Sequence, residues 1–316
     1  MNAKEFKIIG ILDRNARVTT KEIGKLLRGS QQSANYLIHK IEGEPYFIKY
    51  KTHIDSAKFG FTKVLVFYNY TSFKNRRTII GFLKTVNSIT ILEECSEGYD
   101  LMIEFTTSNL SSFNKENRNI LHKFKNSLRQ MEVFPIIVKH EYGRQYLSSG
   151  GWEEDLITSG DRNIETISLR EKTFLSLIQE NSRTPIIKIA SKMKCDPKTA
   201  ILIKKRLEKK KIIRKYGVSI NSPEMGISRT HVLLNIDLDD VNDMDKFMEF
   251  IKRNTNIIRA QKIIGNYEIL ITIEKKDHYK KILNKIRDEF NISKYKSISS
   301  DNILKEEDIP ISFFKN

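Results

Sequence analysis

Cysteine is almost absent from this chain: Cys95 and Cys195 are the two cysteines in 316 residues. Two isolated thiols exclude a disulfide framework and fit a reducing compartment. Long apolar runs are absent too, because no stretch approaches the roughly 18 residues that a membrane-spanning helix needs. The amino-terminal segment lacks the continuous apolar stretch of a secretion signal. We therefore expect a soluble cytoplasmic protein that has no membrane partner.

Catalytic and metal-binding patterns are missing as well. The six histidines are scattered without the spacing of metal ligands. The sequence has no glycine-rich nucleotide loop and no set of nucleophile, base and acid. We therefore expect no metal, no cofactor and no catalytic residue.

Positive charge, by contrast, is in excess. Lysine and arginine number 55 against 39 acidic residues, which gives a net charge of +16 and a pI near 9.6. Such a balance favours an acidic polymer as partner, and double-stranded DNA is the first candidate. We accordingly expect association with the nucleoid.

The basic residues concentrate in one stretch, DPKTAILIKKRLEKKK, at residues 196–211. Asp196 can accept hydrogen bonds from the free N–H groups of a helix start, and Pro197 suits the first helical position. Apolar residues recur on one face at helical spacing and basic residues occupy the other. The apolar face contains Ala200, Ile203 and Leu207, and the basic face contains Lys198, Lys205 and Lys209, with Lys204 and Arg206 beside it.

A short helix precedes this stretch. It opens at Thr184-Pro185, and residues 194–196 separate it from the basic helix. A short helix, a tight turn and a basic second helix are typical of a helix-turn-helix, whose second helix enters the DNA major groove. The alternative is an ordinary solvated surface helix.

The second half of the chain repeats the first at an offset of 166 residues. Asn15 and Arg17 match Asn181 and Arg183, and segment 47–50 matches segment 213–216. The helix pair 20–28 and 30–42 matches the pair 185–194 and 196–208. Because there are two long copies rather than many short ones, the pattern indicates a duplicated unit and not a solenoid.

Each copy begins with three helices and a β-wing and continues as strand, helix, strand, strand, helix, strand. That order is typical of a ferredoxin-like βαββαβ sandwich. The predicted fold class is α+β, with two winged helix-turn-helix domains and two ferredoxin-like domains in tandem. In the first copy we predict strands at 63–70, 89–95, 100–106 and 133–140 and helices at 75–86 and 111–130; in the second, strands near 229–238, 257–264, 267–274 and 293–299 and helices near 242–254 and 277–290.

The predicted domain boundaries follow from this order. The Gly- and Ser-rich linker contains Trp152 and Leu156, which can dock on a domain surface, and the tail ends in a phenylalanine pair that can cover a groove or a partner chain. The helix-turn-helix units span 1–55 and 169–221, the ferredoxin-like units 56–142 and 222–301, the linker 143–168 and the tail 302–316.

These motifs together resemble the Lrp/AsnC (feast/famine) transcription regulators. The first copy has ILDRNARVTTKEIGKLL and SQQSANYLIHKIE, and the second has LIQENSRTPIIKIASKM and DPKTAILIKKRLE. Gly98-Tyr99-Asp100 and Gly265-Asn266-Tyr267-Glu268 look like the family's Gly-x-Tyr-Asp turn in its ferredoxin-like (RAM) domain. The resemblance implies a DNA-binding regulator that assembles through its ferredoxin-like domains, here similar to a dimer fused into one chain. One departure is Lys204, which stands where the first copy has the apolar Ile38.

The two recognition helices differ in chemistry. Amides and hydroxyls of the first copy can read bases directionally, whereas the cations of the second mainly neutralise phosphates. We hypothesise that the first copy discriminates sequence and the second anchors the backbone; the alternative is divergence without consequence. The candidate DNA-binding residues are Gln32, Ser33, Asn35, Tyr36, His39 and Lys40 in the first copy, Lys198, Thr199, Lys205, Arg206 and Lys209 in the second, and Thr20 and Thr184 at helix starts that suit a phosphate.

An effector site is implied by the resemblance alone. In the family an amino acid or other small molecule binds near the Gly-x-Tyr-Asp turn where ferredoxin-like domains meet. The alternative is that the glycines only permit tight hairpins. The candidate residues are Gly98, Tyr99, Asp100, Gly265, Tyr267 and Glu268.

Three functions compete at this stage. The first is a sequence-specific transcription regulator, and the second is an architectural chromatin protein with weak sequence preference. The third is an enzyme, because sirohaem decarboxylases resemble this family and carry a pocket histidine and arginine in a pattern like HNYxR. The corresponding stretch here, EECSEGYD at 93–100, has neither residue. We therefore expect a non-enzymatic protein.

Overall fold

The computed structural model of the protein describes residues 2–147, 156–237, 243–275 and 279–314; Trp152 lies outside them. No helix in these ranges is both long and apolar enough to cross a bilayer. The first copy contains α1 (Ala3–Arg14), α2 (Thr20–Leu26), α3 (Gln31–Glu42), β1 (Phe47–Ile54), β2 (Thr62–Tyr70), α4 (Arg76–Thr85), β3 (Ile89–Cys95), β4 (Leu101–Thr107), α5 (Leu110–Lys123) and β5 (Leu128–Glu141). After β6 (Leu156–Thr158), the second copy contains α6 (Leu169–Glu180), α7 (Ile186–Lys192), α8 (Pro197–Lys209), β7 (Ile213–Ile220), β8 (Ser228–Ile236), α9 (Asp243–Lys252), β9 (Ile257–Ile263), β10 (Ile269–Lys275), α10 (Lys280–Glu289) and β11 (Ile292–Glu306).

The helix boundaries in both helix-turn-helix units are set by local capping. Asn2 and Glu5 form a capping box at α1, and Ser168 and Glu171 form the equivalent box at α6. Asp196 accepts a hydrogen bond from the Lys198 backbone N–H (2.7 Å) at the start of α8. The predicted start of the basic helix is therefore confirmed. Each cap accepts a hydrogen bond from a backbone N–H group of the first helical turn, which has no acceptor within the helix.

The strand that follows each helix-turn-helix pairs with its counterpart in the other copy. β1 and β7 form a two-stranded antiparallel ribbon in which Tyr50 lies opposite Val218 and Thr52 opposite Tyr216. The sequence predicts these strands as wings but does not reveal their partner. The pairing joins the two helix-turn-helix units directly.

The ferredoxin-like units form one closed sheet. The strand order is β2-β4-β3-β11-β8-β10-β9-β5-β6, and β2 also pairs with β5, so the first eight strands make a ring. The long last strand of each copy crosses over: β5 pairs with β2 and then with β9, and β11 pairs with β8 and then with β3. Two four-stranded sheets are thus joined edge to edge.

Apolar side chains alternate along the strands and supply separate cores. Val64 and Val66 of β2 face the cluster beneath α4 and α5, whereas Leu65 and Phe67 face the interior between the two sheets. A second external core lies beneath α9 and α10. One continuous core is shared by both helix-turn-helix units. This alternation is the two-residue period of a pleated strand.

Three regions differ in detail from the sequence prediction. The helix predicted over 111–130 ends at Lys123, because residues 124–127 form a turn and Leu128 starts β5 against Tyr70. Part of the predicted linker is structured, since Leu156 is buried in β6 on the edge of β5. The predicted tail begins inside β11, which runs to Glu306.

The phenylalanines at the end of the chain pack within the same chain. The ring of Phe313 lies 4.7 Å from that of Phe59 and 5.5 Å from that of Phe61. Of the two predicted roles for the pair, the structure places Phe313 against a groove of its own helix-turn-helix core.

Candidate nucleic-acid interface

Helix α3 buries one face and exposes the other. Ala34, Ile38 and Ile41 are at most 3% exposed, and Ser30 caps the helix by accepting from the Ser33 backbone N–H at 3.0 Å. The predicted reading residues fall on the exposed face. Among them, Tyr36 is 68% exposed, an unusual position for an aromatic ring on a monomer surface.

Two of the predicted DNA-binding residues on α3 contact carboxylates of the same chain. His39 Nδ1 lies 2.8 Å from a carboxylate oxygen of Glu42, and Lys40 Nζ lies 2.6 Å from Glu5 of α1. The charge of Lys40 is therefore partly neutralised. Three residues of the exposed face keep uncharged side chains that are open to solvent: Gln32, Ser33 and Asn35.

Helix α8 exposes a more basic face. Lys198, Lys205 and Lys209 are exposed, and Thr199 is half-buried at the flank. Arg206 is 64% exposed and lies 3.3 Å from Glu171 of α6. Leu202, 66% exposed, adds an apolar residue within the basic face.

Lys204 occupies the position that is apolar in the first copy. Its ammonium group lies 2.9 Å from Glu208 and 5.5 Å from the ring centroid of Tyr216. The aliphatic part of the Lys204 side chain lies along α8, and its ammonium group reaches Glu208 and Tyr216 at the edge of the buried face. The substitution is therefore accommodated at the flank of α8.

The two threonine helix starts are built differently. At α2 the cap is Thr19, which accepts from the Glu22 N–H at 3.2 Å, and Thr20 is the first helical residue. At α7 the cap position is Pro185, which offers no side-chain acceptor, while Thr184 donates its hydroxyl to the Asn181 carbonyl at 2.8 Å. The start of α7 therefore lacks the side-chain acceptor for its backbone N–H groups that Thr19 provides at the start of α2.

Reciprocal arginines fix the two helix-turn-helix units together. Arg17 donates to the Ser182 and Thr184 carbonyls at 2.6 and 3.2 Å. Arg183 donates to the Ala16 carbonyl at 2.5 Å. Arg17 also lies over the ring of Tyr216 and Arg183 over that of Tyr50, at 5.4 and 5.3 Å. These matching contacts relate the two heads by an approximate two-fold axis.

The hairpin turn of the first ferredoxin-like unit lies against the second unit. Gly98 has a φ of +80°, and a Cβ there would lie 2.7 Å from the Ser297 carbonyl oxygen. Tyr99 is 3% exposed and donates its hydroxyl to Glu132 at 2.6 Å, with Lys296 Nζ 3.5 Å from its ring centroid. Asp100 accepts from the Tyr70 backbone N–H at 2.7 Å.

The equivalent turn of the second unit repeats this placement. A Cβ on Gly265 would lie 2.8 Å from the Phe134 ring. Tyr267 is also 3% exposed, with Lys294 Nζ 4.6 Å from its ring centroid, and Glu268 accepts from the Ile236 N–H at 3.3 Å. Both turns therefore lie where the two ferredoxin-like units meet, and their glycines are required by close approach.

A buried carboxylate, Glu93, joins the two copies inside the ring of strands. It accepts from the Arg229 guanidinium at 2.9 and 3.2 Å and from the Ser300 hydroxyl at 2.6 Å. Its second oxygen lies 2.9 Å from His231 Nε2. Burial alone would raise the pKa of Glu93, but Arg229 and His231 hold it far below its ordinary value. Burial lowers the pKa of His231.

A second buried carboxylate, Glu104, is shared by two lysines. Lys63 and Lys139 lie 2.7 and 3.2 Å from its two oxygens, and all three side chains are 1% exposed. Burial opposes ionisation of Glu104, but Lys139 and Lys63 lower its pKa to about 2. Burial and the neighbouring Arg259 lower the pKa of Lys139 to about 8.

Charged residues also connect the ribbon to the ring of strands. Lys51 of β1 lies 3.5 Å from Glu306 and 3.4 Å from Asp308. Burial, followed by Lys51, lowers the pKa of His53 to about 4, so its imidazole is neutral at pH 7. Movement of the ferredoxin-like units relative to the heads would have to break this layer.

These buried charges were missed in the sequence analysis, although a signal exists. Glu104 stands in the otherwise apolar run LMIEF, and Arg229 and His231 are two residues apart, which places both on one face of a strand. A charge in a buried strand demands a partner. The identity of the partner is not local, since Glu93 and Arg229 are 136 residues apart.

Comparisons with known proteins place this fold among helix-turn-helix proteins. No family model matches the chain. The chain is similar to the HTH-type transcriptional regulator LrpB of Bacillus subtilis, with 27% identity over 86 residues. That alignment covers 27% of this chain and 58% of the length of LrpB.

Solved structures of the siroheme decarboxylase NirDL match almost the whole chain. One has a TM-score of 0.64 at 12% identity and covers 98% of this chain and 97% of its own. Another, in complex with an iron-uroporphyrin III analogue, has a TM-score of 0.63 at 11% identity. Identity this low shows a shared fold alone. The fold is Lrp/AsnC-like, with helix-turn-helix and ferredoxin-like parts.

Our expectation that the chain is not an enzyme is overturned by this match, because the structures that cover 98% of the chain are those of an enzyme. The expectation rested on the lack of histidine and arginine in residues 93–100, on the basic recognition helix and on the lack of catalytic motifs elsewhere, and none of these features excludes the fold of that enzyme. In the folded chain Glu93 of that stretch contacts Arg229 and His231 of the other copy. A search along one segment does not detect residues that meet across two copies.

Proposed function

We propose that this chain is a DNA-binding transcription regulator of the Lrp/AsnC type, a tandem duplication that acts as a fused pair. Helices α3 and α8 would enter the major groove at two half-sites about 34 Å, or a multiple of that distance, apart. Because the two helices carry different side chains, the preferred site would be asymmetric.

The observation that carries this proposal is the pair of exposed, unlike recognition faces on one shared core. Amide and hydroxyl groups lie open on α3, and three lysines lie open on α8. The reciprocal contacts of Arg17 and Arg183 fix the heads relative to each other. A fixed separation favours simultaneous binding of two half-sites, because little translational and rotational freedom remains to be lost when the second helix binds.

The remaining parts receive roles in the same proposal. The ferredoxin-like units assemble the pair and can mediate further self-association. An amino acid or another small molecule would bind near the turns at 98–100 and 265–268, where the units meet. DNA binding would place the protein at the nucleoid in the cytoplasm. The net charge of +16 supports this assignment.

The test is an in vitro selection on fragmented genomic DNA at physiological salt with non-specific competitor. Enrichment of an asymmetric pair of half-sites is the expected result. The variant Gln32→Ala/Asn35→Ala should relax the sequence preference while non-specific retention stays. An unchanged preference in this variant would refute base reading by α3.

The complementary variant is Lys205→Ala/Lys209→Ala on α8. It should weaken retention for all sequences and reduce the slope of log K against log salt by about 2, roughly one unit for each lost phosphate contact. A matched control, Lys115→Ala/Lys285→Ala, removes the same charge from α5 and α10 and should leave both quantities unchanged.

Two results would contradict the proposal. Retention without enrichment that collapses as salt rises would indicate an architectural chromatin protein instead. No retention of DNA at all would remove nucleic acid as the partner, and the next assay would then be binding of iron-uroporphyrin III, the compound whose analogue is bound in one matching structure.

A further inference from the structure

A cleft of about 620 Å³ opens between the end of α1 and the edge of the second helix-turn-helix unit; we call it the α1–α8 cleft. Five of its nine lining residues are basic and one, Glu208, is acidic. The two copies contribute the cations jointly. The basic residues are Arg14 and Arg17 from the first copy and Lys204, Arg214 and Lys215 from the second, and burial lowers the pKa of Lys215 to about 7.

Protein groups neutralise this charge only in part. Glu208 is held by Lys204 and by the Tyr216 hydroxyl, each at 2.9 Å. By contrast, the guanidinium groups of Arg14 and Arg214 form no hydrogen bond or ion pair within the described part of the chain. Positive charges without counter-charges are unfavourable near other cations, so these two guanidinium groups raise the energy of the cleft.

The fold itself does not require three of these basic residues, Arg14, Lys204 and Arg214. At the equivalent positions, 166 residues away in the sequence, Glu180 stands for Arg14, Ile38 for Lys204 and Ile48 for Arg214. The equivalent set holds two cations, Arg183 and Lys49, and two carboxylates, Glu180 and Glu42. The same backbone contacts form on both sides, because Arg17 and Arg183 bond reciprocally. The excess charge is therefore specific to one side.

We propose that the α1–α8 cleft binds a small molecule that carries several phosphate groups. Arginine guanidinium groups donate paired hydrogen bonds that match phosphate oxygens. The volume lies within the range of roughly 300–1,000 Å³ that is typical of small-molecule pockets. The site is separate from the hairpin turns of the ferredoxin-like units, and the proposal does not rest on DNA binding.

The test is isothermal titration calorimetry of the full chain with ATP and with inorganic triphosphate. Saturable binding at one site per chain is expected for both. Arg14→Glu and Arg214→Ile each install the residue that the chain uses at the equivalent position, which favours correct folding. Each should weaken binding at least about tenfold, the usual effect of losing a charge-assisted hydrogen bond. Lys115→Ala, which removes an exposed charge from α5 far from the proposed interface, should leave binding unchanged.

Three results would overturn the proposal. The first is no binding of either probe to the wild-type chain, and the second is binding that Arg14→Glu and Arg214→Ile leave unaltered. The third is equally tight binding of citrate, which would make the cleft a general anion surface. If Arg214→Ile instead weakens retention of DNA while the probes do not bind, the cleft contacts the DNA backbone. DNA retention is measured separately, so a negative result for phosphate binding in the cleft does not contradict DNA binding, and a negative result for DNA does not contradict phosphate binding.

Discussion

Replacing Glu93 with glutamine should destabilise the protein more than the same replacement of an exposed glutamate. Glu93 of β3 is fully buried and belongs to the first copy, whereas its partners Arg229, His231 and Ser300 all belong to the second. The glutamine side chain has nearly the same shape. The change therefore removes charge without creating a cavity.

The expected loss in the free energy of unfolding is about 3–5 kcal/mol, the usual cost of leaving one member of a buried ion pair without its partner. Arg229 keeps one carboxylate, Glu274, at 2.8 Å. However, Arg229 and Arg144 would then share it, because Arg144 also bonds Glu274, at 2.8 Å. Arg144 keeps a second carboxylate, Asp13, at 3.2 Å, whereas among the described ion pairs Arg229 would keep only the shared Glu274.

Urea denaturation as a function of pH provides the assay. The pKa of Glu93 is lower in the folded chain than its unfolded value of 4.5, so its ionisation stabilises the fold above pH 4.5 and this contribution is lost as the pH falls. The glutamine variant lacks that contribution at every pH. The stability difference between the two proteins should be constant from pH 8 to pH 5 and should shrink below pH 4.5.

A matched control is Glu289→Gln at the exposed end of α10, which should change stability by no more than about 0.5 kcal/mol. The reasoning about Glu93 would be refuted by a loss below about 1 kcal/mol for Glu93→Gln. A stability difference that does not depend on pH below 4.5 would equally contradict it, because the charge would then not be the cause.

Three further substitutions follow from the geometry. Gly98→Ala should lower stability by about 2 kcal/mol or more in thermal unfolding, because alanine is strained at a φ of +80° and its Cβ would lie 2.7 Å from a carbonyl oxygen of Ser297. Gly81→Ala, in an exposed turn of α4 with open space around it, should instead stabilise by about 0.5–1 kcal/mol. Arg17→Ala should cost about 2–3 kcal/mol and loosen the two heads, measured by faster amide hydrogen exchange in the β1–β7 ribbon.

Features that depend on neighbouring residues could be predicted from the sequence. Asp196 and Pro197 mark the start of α8 because capping involves only the first helical turn. The fold class followed from the order of elements and from the repeat. The boundary at the end of α5 was misplaced, since apolar Leu128 continues the helical pattern but pairs instead with Tyr70 of β2.

Features that depend on distant pairing could not be predicted in this way. The local sequence pattern predicts β1 as the wing of a helix-turn-helix, but its partner β7 lies more than 150 residues further along the chain. The exposed faces of α3 and α8 contain the predicted DNA-binding residues, but only the folded chain shows that Lys40 and Arg206 are already paired. Whether these faces bind DNA stays a prediction.

The buried charges differ between the two halves of the chain. In the equivalent positions of the second copy, Lys63 corresponds to Arg229 and Leu65 to His231. A symmetric dimer of the first copy alone would therefore offer Glu93 a lysine and a leucine instead of the arginine and histidine that it now contacts. Joining two copies in one chain allows each side to change separately. Positive charge is likewise in excess in one cleft and not at the equivalent positions, so a single chain presents once an arrangement that a symmetric dimer would have to form twice.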